Sequence, residues 1–256
     1  MLEMPEELDR LKNPPKQLFS SGDLELLKRK KVAIVGSRKC YTHTQATIFS
    51  LSSALSRAGV VVVSGAALGV DTIAHKGAFP NTIAVLPNSL EIIYPKTNRA
   101  LIEQLHSSSL VLSEYNVGTK AFKQNFIARN RVVVGLCDAV VIAQADLNSG
   151  TMHSAKFAIE SNIPLYVLGH RLGESEGSDK LLVDGDAKLI NSIDEFVKLF
   201  SDVTKESEEF KIEDELLEFC KKSPTFDETL QKFGDKVYEY ELDGKITILN
   251  GLVVNS

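Results

Sequence analysis

Six short runs along the chain are apolar almost from end to end: KKVAIVG, VVVVSG, NTIAVLP, LVLSEY, AVVIAQ and PLYVLG. Between them lie stretches whose apolar positions recur every three to four residues, among them THTQATIFSLSSALSRAG, DTIAHKGA, NRALIEQLHSS, QNFIARNRVVVGL and SAKFAIESN. β-branched runs without a polar alternation are strands buried on both faces, and strands that alternate with amphipathic helices build a parallel sheet. The pattern therefore predicts a Rossmann-like α/β domain over residues 31–200, a mostly parallel sheet with helices on both faces. Residues 1–30 form a lead-in. In such sheets ligands bind beyond the carboxyl ends of the strands, where loops run into helix N-termini.

After residue 200 the pattern changes. An acidic linker, 201–212, precedes three short amphipathic segments, ELLEFCKKS, TFDETLQKFG and DKVYEYELDG, and then KITILNGLVVN, where Asn250-Gly251 between apolar runs predicts a tight hairpin. Three helices and a hairpin over 213–256 read as a small winged-helix-like domain. Charge divides along the same boundary. Residues 202–256 carry 14 acids against 7 lysines, net −7, so the overall −5 leaves +2 for residues 1–201. The third predicted helix of the small domain offers Lys236 against Asp235, Glu239, Glu241 and Asp243, which repels phosphates and suits protein docking or dimer support better than DNA reading.

With 256 residues, 43% of them hydrophobic, the chain has enough apolar material for a large core. The acidic start MLEMPEELDR is no secretory leader, and no apolar run approaches the roughly 20 residues that cross a bilayer, so a cytoplasmic protein without membrane contact is expected. Cys40, Cys137 and Cys220 show no paired spacing, and His43, His75, His106, His153 and His170 show no metal-ligand spacing. Neither disulfide nor metal chemistry is expected.

The predicted loops at the strand ends are rich in small residues: Gly36-Ser37-Arg38, then Ser64-Gly65-Ala66-Ala67-Leu68-Gly69 ahead of Asp71, then Asn148-Ser149-Gly150-Thr151. Small residues let a backbone approach an anion, and Arg38 adds a bidentate phosphate donor. Asp71 is expected to N-cap the helix that follows it. Two long stretches contain no acid: Leu26–Val70, with seven cations from Lys28 to Arg57, and Tyr115–Cys137, where KAFKQNFIARNR carries Lys120, Lys123, Arg129 and Arg131 around Phe122 and Phe126. Cations and aromatics interleaved in this way suit a single nucleic-acid strand, whose phosphates recur and whose bases stack. A dinucleotide is a poorer fit, because the first turn reads GSRKCY in place of GxGxxG.

VAIVGSR, SGAALGVD, FIARNRVVVGL, VVIAQADLNSGT and PLYVLG together resemble the DprA/Smf family of DNA-processing proteins, over about residues 10–250. The resemblance implies single-stranded DNA binding, loading of the RecA recombinase during natural transformation, a homodimer, no catalytic activity and no cofactor. It implies that Arg38 and Lys123 contact phosphates, that Phe126 holds a base, and that Ser64-Gly65 and Ser149-Gly150-Thr151 shape the pocket. The candidate nucleic-acid-binding set is completed by Ser37, Asn125, Arg129 and Arg131, with a structural role left open for both arginines. Ala66, Leu68, Gln144 and the SGT loop depart from the family's usual residues. The alternatives are a nucleotide-sensing scaffold and an enzyme similar to the LOG phosphoribohydrolases, whose catalytic glutamate has no counterpart in NSGTMHSA.

Overall fold

Lys31–Val35 lies at the centre of an eight-stranded sheet, and all five of its residues are buried. The computed structural model describes residues 2–201, 215–220, 223–234, 236–242, 245–249 and 251–255, and the chain divides into two compact units, Met1–Asp202 and Val203–Ser256. In the first unit the strands are β1 (Phe19–Gly22), β2 (Lys31–Val35), β3 (Val61–Ser64), β4 (Thr82–Leu86), β5 (Leu110–Ser113), β6 (Ala139–Ile142), β7 (Leu165–Leu168) and β8 (Lys188–Ile190). Their order is β1-β5-β4-β3-β2-β6-β7-β8, parallel throughout except for β1, which pairs antiparallel with β5. The chain winds outward from β2 to β5 and then crosses back to β6 on the other side of β2. That reversal opens a crevice above the carboxyl ends of β2 and β6.

The helices α1 (Thr42–Arg57), α2 (Val70–Ala78), α3 (Arg99–Ser108), α4 (Lys123–Gly135), α5 (Gly150–Glu160), α6 (Glu176–Val183) and α7 (Ile193–Lys198) cover both faces. Alternation along β2 assigns the faces, since successive strand residues point to opposite sides. Val32 and Ile34 pack with Ile48, Leu51 and Leu55 of α1, while Ala33 and Val35 share a cluster with Val132 and Val133 of α4 and Ala155 and Ala158 of α5.

The lead-in is part of this packing. Leu8, Leu11, Leu18 and Leu26 are buried in the same cluster as α4. Arg10 donates to the carbonyls of Gly135 and Cys137 at 2.6–3.1 Å, satisfying acceptors that the end of α4 leaves open. A Cβ on Gly135 would meet Leu11 at 2.6 Å, so this contact needs glycine.

In the second unit, α8 (Glu215–Cys220), α9 (Phe226–Phe233) and α10 (Lys236–Leu242) precede an antiparallel hairpin of β9 (Ile246–Leu249) and β10 (Leu252–Asn255). Leu216, Cys220, Val237, Ile246 and Val253 form its buried core, and Thr225 and Glu228 close a capping box on α9. The sequence places three helices and a hairpin here in that order. The linker 202–212 and Asn250 of the turn lie outside the described residues.

Candidate nucleic-acid interface

The loop from Gly65 to Gly69, which joins β3 to α2, is held by buried side chains on every side. The Asp71 carboxylate accepts from the N–H groups of Gly65 and Ala67 at 3.2 and 3.3 Å. The Gly65 carbonyl accepts from Arg129, which also donates to Val85 O. Asn98 donates to the carbonyls of Ala66 and Ala67 and to Thr72. The Thr82 hydroxyl gives its proton to Val62 O, so it accepts from His75 Nδ1–H, and His75 Nε2 is left to accept from Ala66 N–H. Burial, with a smaller contribution from Arg129, lowers the His75 pKa to about 3 and keeps the ring neutral. Burial likewise raises the Asp71 pKa, against the opposing attraction of Arg129 and the two N–H bonds, and lowers that of Arg129. The rim of the sheet is thereby fixed before any ligand arrives.

Above this floor is a cleft of about 250 Å³ lined by Gly36, Ser37, Arg38, Gly65, Asp71, Phe126, Arg129, Ser149, Gly150, Thr151 and Ser154, among others. It sits at the switch point between β2 and β6. On one wall α5 begins, and its N-cap Ser149 makes no side-chain capping bond. The hydroxyls of Ser149 and Ser154 are buried without a partner, which is unfavourable unless a ligand supplies one. A helix N-terminus with free N–H groups and two idle hydroxyls is an anion cradle. On the other wall the Arg38 guanidinium lies over the Phe126 ring, 5.1 Å from its centroid, and Tyr94 meets that ring edge-on at 5.7 Å. Beyond Phe126 a small apolar slot opens between Leu68, Pro87, Tyr94 and Pro95. Lys120 and Lys123 are exposed nearby in the chain and make no ion pair among the described residues.

The candidate residues from the sequence separate accordingly. Ser37, Arg38, Gly65, Phe126, Arg129, Ser149, Gly150 and Thr151 are brought together around the cleft, with Lys123 one helical turn before Phe126. Ser64 is fully buried and its hydroxyl donates to Ile34 O, so it does not line the cleft but holds the strand end beside Gly65, which does. Asn125 does not line the cleft either; its amide holds Pro87 O and Lys120 O. Arg131 is not among the residues lining the cleft and pairs with Glu114 at 2.5 Å. Arg129 touches the cleft but is 4% exposed, and its first role is to hold Gly65 and Val85. A Cβ on Gly65 would lie 2.2 Å from the Arg129 guanidinium, so glycine is needed there for the arginine rather than for a phosphate. Asp71 does not cap α2, whose N-cap is Gly69; it binds the loop instead.

The first basic stretch is also split by the fold. Lys28, Arg29, Lys30 and Lys31 stand at the amino end of β2, opposite the cleft, where Lys28, Lys30 and Lys31 pair with Glu25, Asp138 and Glu7, and Arg29 donates to Gly59 O and Asn81. Phe122 is 57% exposed, so it is not a core residue. Ser154, Tyr94, His75 and Asn98 were not found from the sequence. Ser154 was legible in principle as a small polar residue one turn after Gly150, whereas the other three depend on which loops meet. Among the described residues lining the cleft, Asp71 is the one carboxylate, and its Oδ2 accepts from the backbone N–H groups of Gly65 and Ala67. No glutamate lines the cleft at the start of α5 among the described residues, which does not favour the phosphoribohydrolase alternative.

A family model described as DNA recombination-mediator protein A matches residues 2–201. The DNA processing protein DprA of Streptococcus pneumoniae is 38% identical over 193 residues, covering 73% of this chain and 68% of its own. The protein Smf of Synechocystis is 36% identical over 196 residues, 73% of this chain and 49% of its own, so the chain spans about half the length of that relative. Among solved structures, DNA processing protein A from Helicobacter pylori, studied for its single-stranded DNA binding mode, superposes with a TM-score of 0.76 at 43% identity, covering 78% of this chain and 93% of its own.

Proposed function

The chain belongs to the DNA recombination-mediator protein A family, and from that premise we propose that its first unit binds single-stranded DNA in the cleft at the carboxyl edge of the sheet, without base-sequence readout and without catalysis, and presents the strand to the RecA recombinase during DNA uptake. The observation that carries the reading is the pairing of two buried, unpartnered hydroxyls at the start of α5 with the Arg38–Phe126 stack across the same cleft. The cradle takes a phosphate and the aromatic wall takes the adjoining base. In keeping with the family, the working species is a cytoplasmic homodimer.

A fluorescence anisotropy titration with single-stranded, double-stranded and mononucleotide ligands tests this. Single strands of unrelated sequence bind with similar affinity, far above that for AMP and for duplex. With Z phosphates engaged, log K falls against log salt with slope about −0.7Z, and the exposed cations at this edge suggest Z of roughly 2–4 per protomer. Affinity that ignores salt, or tighter binding of AMP than of an oligonucleotide, overturns the proposal and favours a nucleotide sensor.

A further inference from the structure

Beyond the nucleic-acid cleft, the fold collects a group of metal-type ligands that are far apart in sequence. His43, in the first turn of α1, and His170 and Glu174, in the segment between β7 and α6, each offer one ligand atom, and these atoms lie within 4.8 Å of one another. His43 Nε2 and a Glu174 carboxylate oxygen are 3.2 Å apart. Two ligands bound tetrahedrally at about 2.0–2.1 Å to one zinc ion stand roughly 3.4 Å apart, so this pair already has the right bite. The two imidazole rings meet edge to face with centroids 6.3 Å apart.

The state of His170 is the second observation. Its Nε2 is 2.7 Å from Ala143 O. A carbonyl only accepts, so Nε2 carries the proton and Nδ1 is left with its lone pair. That Nδ1 is buried and has no partner. A histidine oriented by a backbone carbonyl through one nitrogen, with the other free, is the arrangement that tunes a metal-ligating imidazole. Tyr41 stacks on His43 with ring planes 10° apart, limiting the second ring in turn. Glu174 has a further bond, accepting from Arg171 N–H at 3.1 Å, which orders its segment.

We propose that His43 Nε2, His170 Nδ1 and the Glu174 carboxylate bind one divalent transition-metal ion of the zinc class, with water completing the coordination. Two imidazoles and a carboxylate suit zinc, cobalt or nickel better than magnesium or calcium, which prefer oxygen donors. The His43 side chain is 47% exposed, so water can reach the ion to complete its coordination. The ion joins the start of α1 to the β7–α6 segment, and Tyr41, two residues before His43, is already tied to Gln144 at the end of β6. It therefore fastens the outer wall of the loop that presents Ser37 and Arg38.

Calorimetric titration of the chelator-treated full chain with zinc chloride tests the site. The expected result is one ion per chain, a rise in melting temperature on addition of zinc, and a visible absorption band when cobalt(II) is used instead. His43→Ala and Glu174→Gln each remove a ligand and weaken zinc binding more than about a hundredfold, beyond the roughly ten- to hundredfold loss that an outer-shell partner gives, while leaving the metal-free melting temperature close to that of the parent. Absence of stoichiometric binding overturns the proposal and leaves His43 and Glu174 as an ion pair. Binding that survives both substitutions at the parent's affinity overturns it equally, because the ion is then held elsewhere.

Discussion

Arg38 and Phe126 share one wall of the cleft, and on the proposed function they would act on a strand through different physics, which makes them separable. Arg38→Ala and Lys123→Ala each remove a cation that displaces a counterion, so each weakens single-strand binding and flattens the salt slope by about 0.7. Phe126→Ala removes a stacking face worth about 1–3 kcal/mol per base and leaves the slope unchanged. Anisotropy titrations at several salt concentrations distinguish the two, and a large fall in melting temperature for Phe126→Ala would assign that ring to packing against Tyr94 instead. A second expectation concerns the floor. His75 is neutral in the fold, its pKa lowered by burial to about 3, against about 6.5 when unfolded. The folded pKa is the lower one, so the stability it contributes is complete above about pH 6.5 and is lost as pH falls toward 3, by about 1.4 kcal/mol per pH unit. Urea midpoints measured from pH 7 to pH 5 should fall in the parent and fall less steeply in His75→Gln, whose amide can still donate to Thr82 and accept from Ala66. Equal slopes would assign the acid sensitivity to other groups.

At the scale of elements, what the sequence disclosed follows from how much apolar signal each segment carries. β2 to β6 are runs of four or five buried residues, and β7 has three buried residues of four, so all six are legible. β1, with sequence FSSG, has no such run; it is a strand because β5 offers it an open edge, from Phe19 opposite Ser113 to Gly22 opposite Leu110. β8 is three residues long and mostly exposed, too short for any periodicity. The leucines and Arg10 of residues 1–30 read only as a lead-in, because Arg10 and Leu11 find their partners at the end of α4, more than a hundred residues away. The cleft was legible where single loops carry it, at Ser37-Arg38 and Ser149-Gly150-Thr151. It is not legible where neighbours in space decide, since the partners of Ser64, Asn125 and Arg131, which are Ile34 O, Pro87 O and Glu114, lie far off in the sequence. Charge shows the same limit. The seven cations of the acid-free stretch from Leu26 to Val70 do not share one edge, because β2 runs through it and leaves Lys28–Lys31 at the amino edge. Lys28→Ala with Lys30→Ala is therefore expected to leave single-strand affinity and its salt slope unchanged, although Lys123→Ala alone changes both. A loss in the double variant comparable to that in Lys123→Ala would mean that DNA also follows the amino edge.

For the whole molecule, charge and the site fall on different units. The cleft, the clamped loop and the exposed cations all belong to Met1–Asp202, which has its own sheet and core. Residues 202–256 carry net −7, and their helices pack on a separate small core of Leu216, Cys220, Val237, Ile246 and Val253. If the first unit alone binds DNA, a tethered body of net −7 acts on the strand only by repulsion, over about 10 Å at 0.1 M ionic strength and about 30 Å at 0.01 M. Deleting residues 203–256 should therefore preserve single-strand affinity at moderate salt and raise it slightly at low salt. The salt slope should stay within about 0.7 of the parent's, because the same phosphates are neutralised. Circular dichroism and a melting curve establish that the shortened chain is folded before its binding is compared. If it is folded and nevertheless loses most of its affinity, the small domain supplies DNA contacts that its net charge argues against, and the assignment of binding to the first unit alone is wrong. If affinity holds but self-association measured by sedimentation is lost, the small domain supports the dimer, the role its acidic surface suits better.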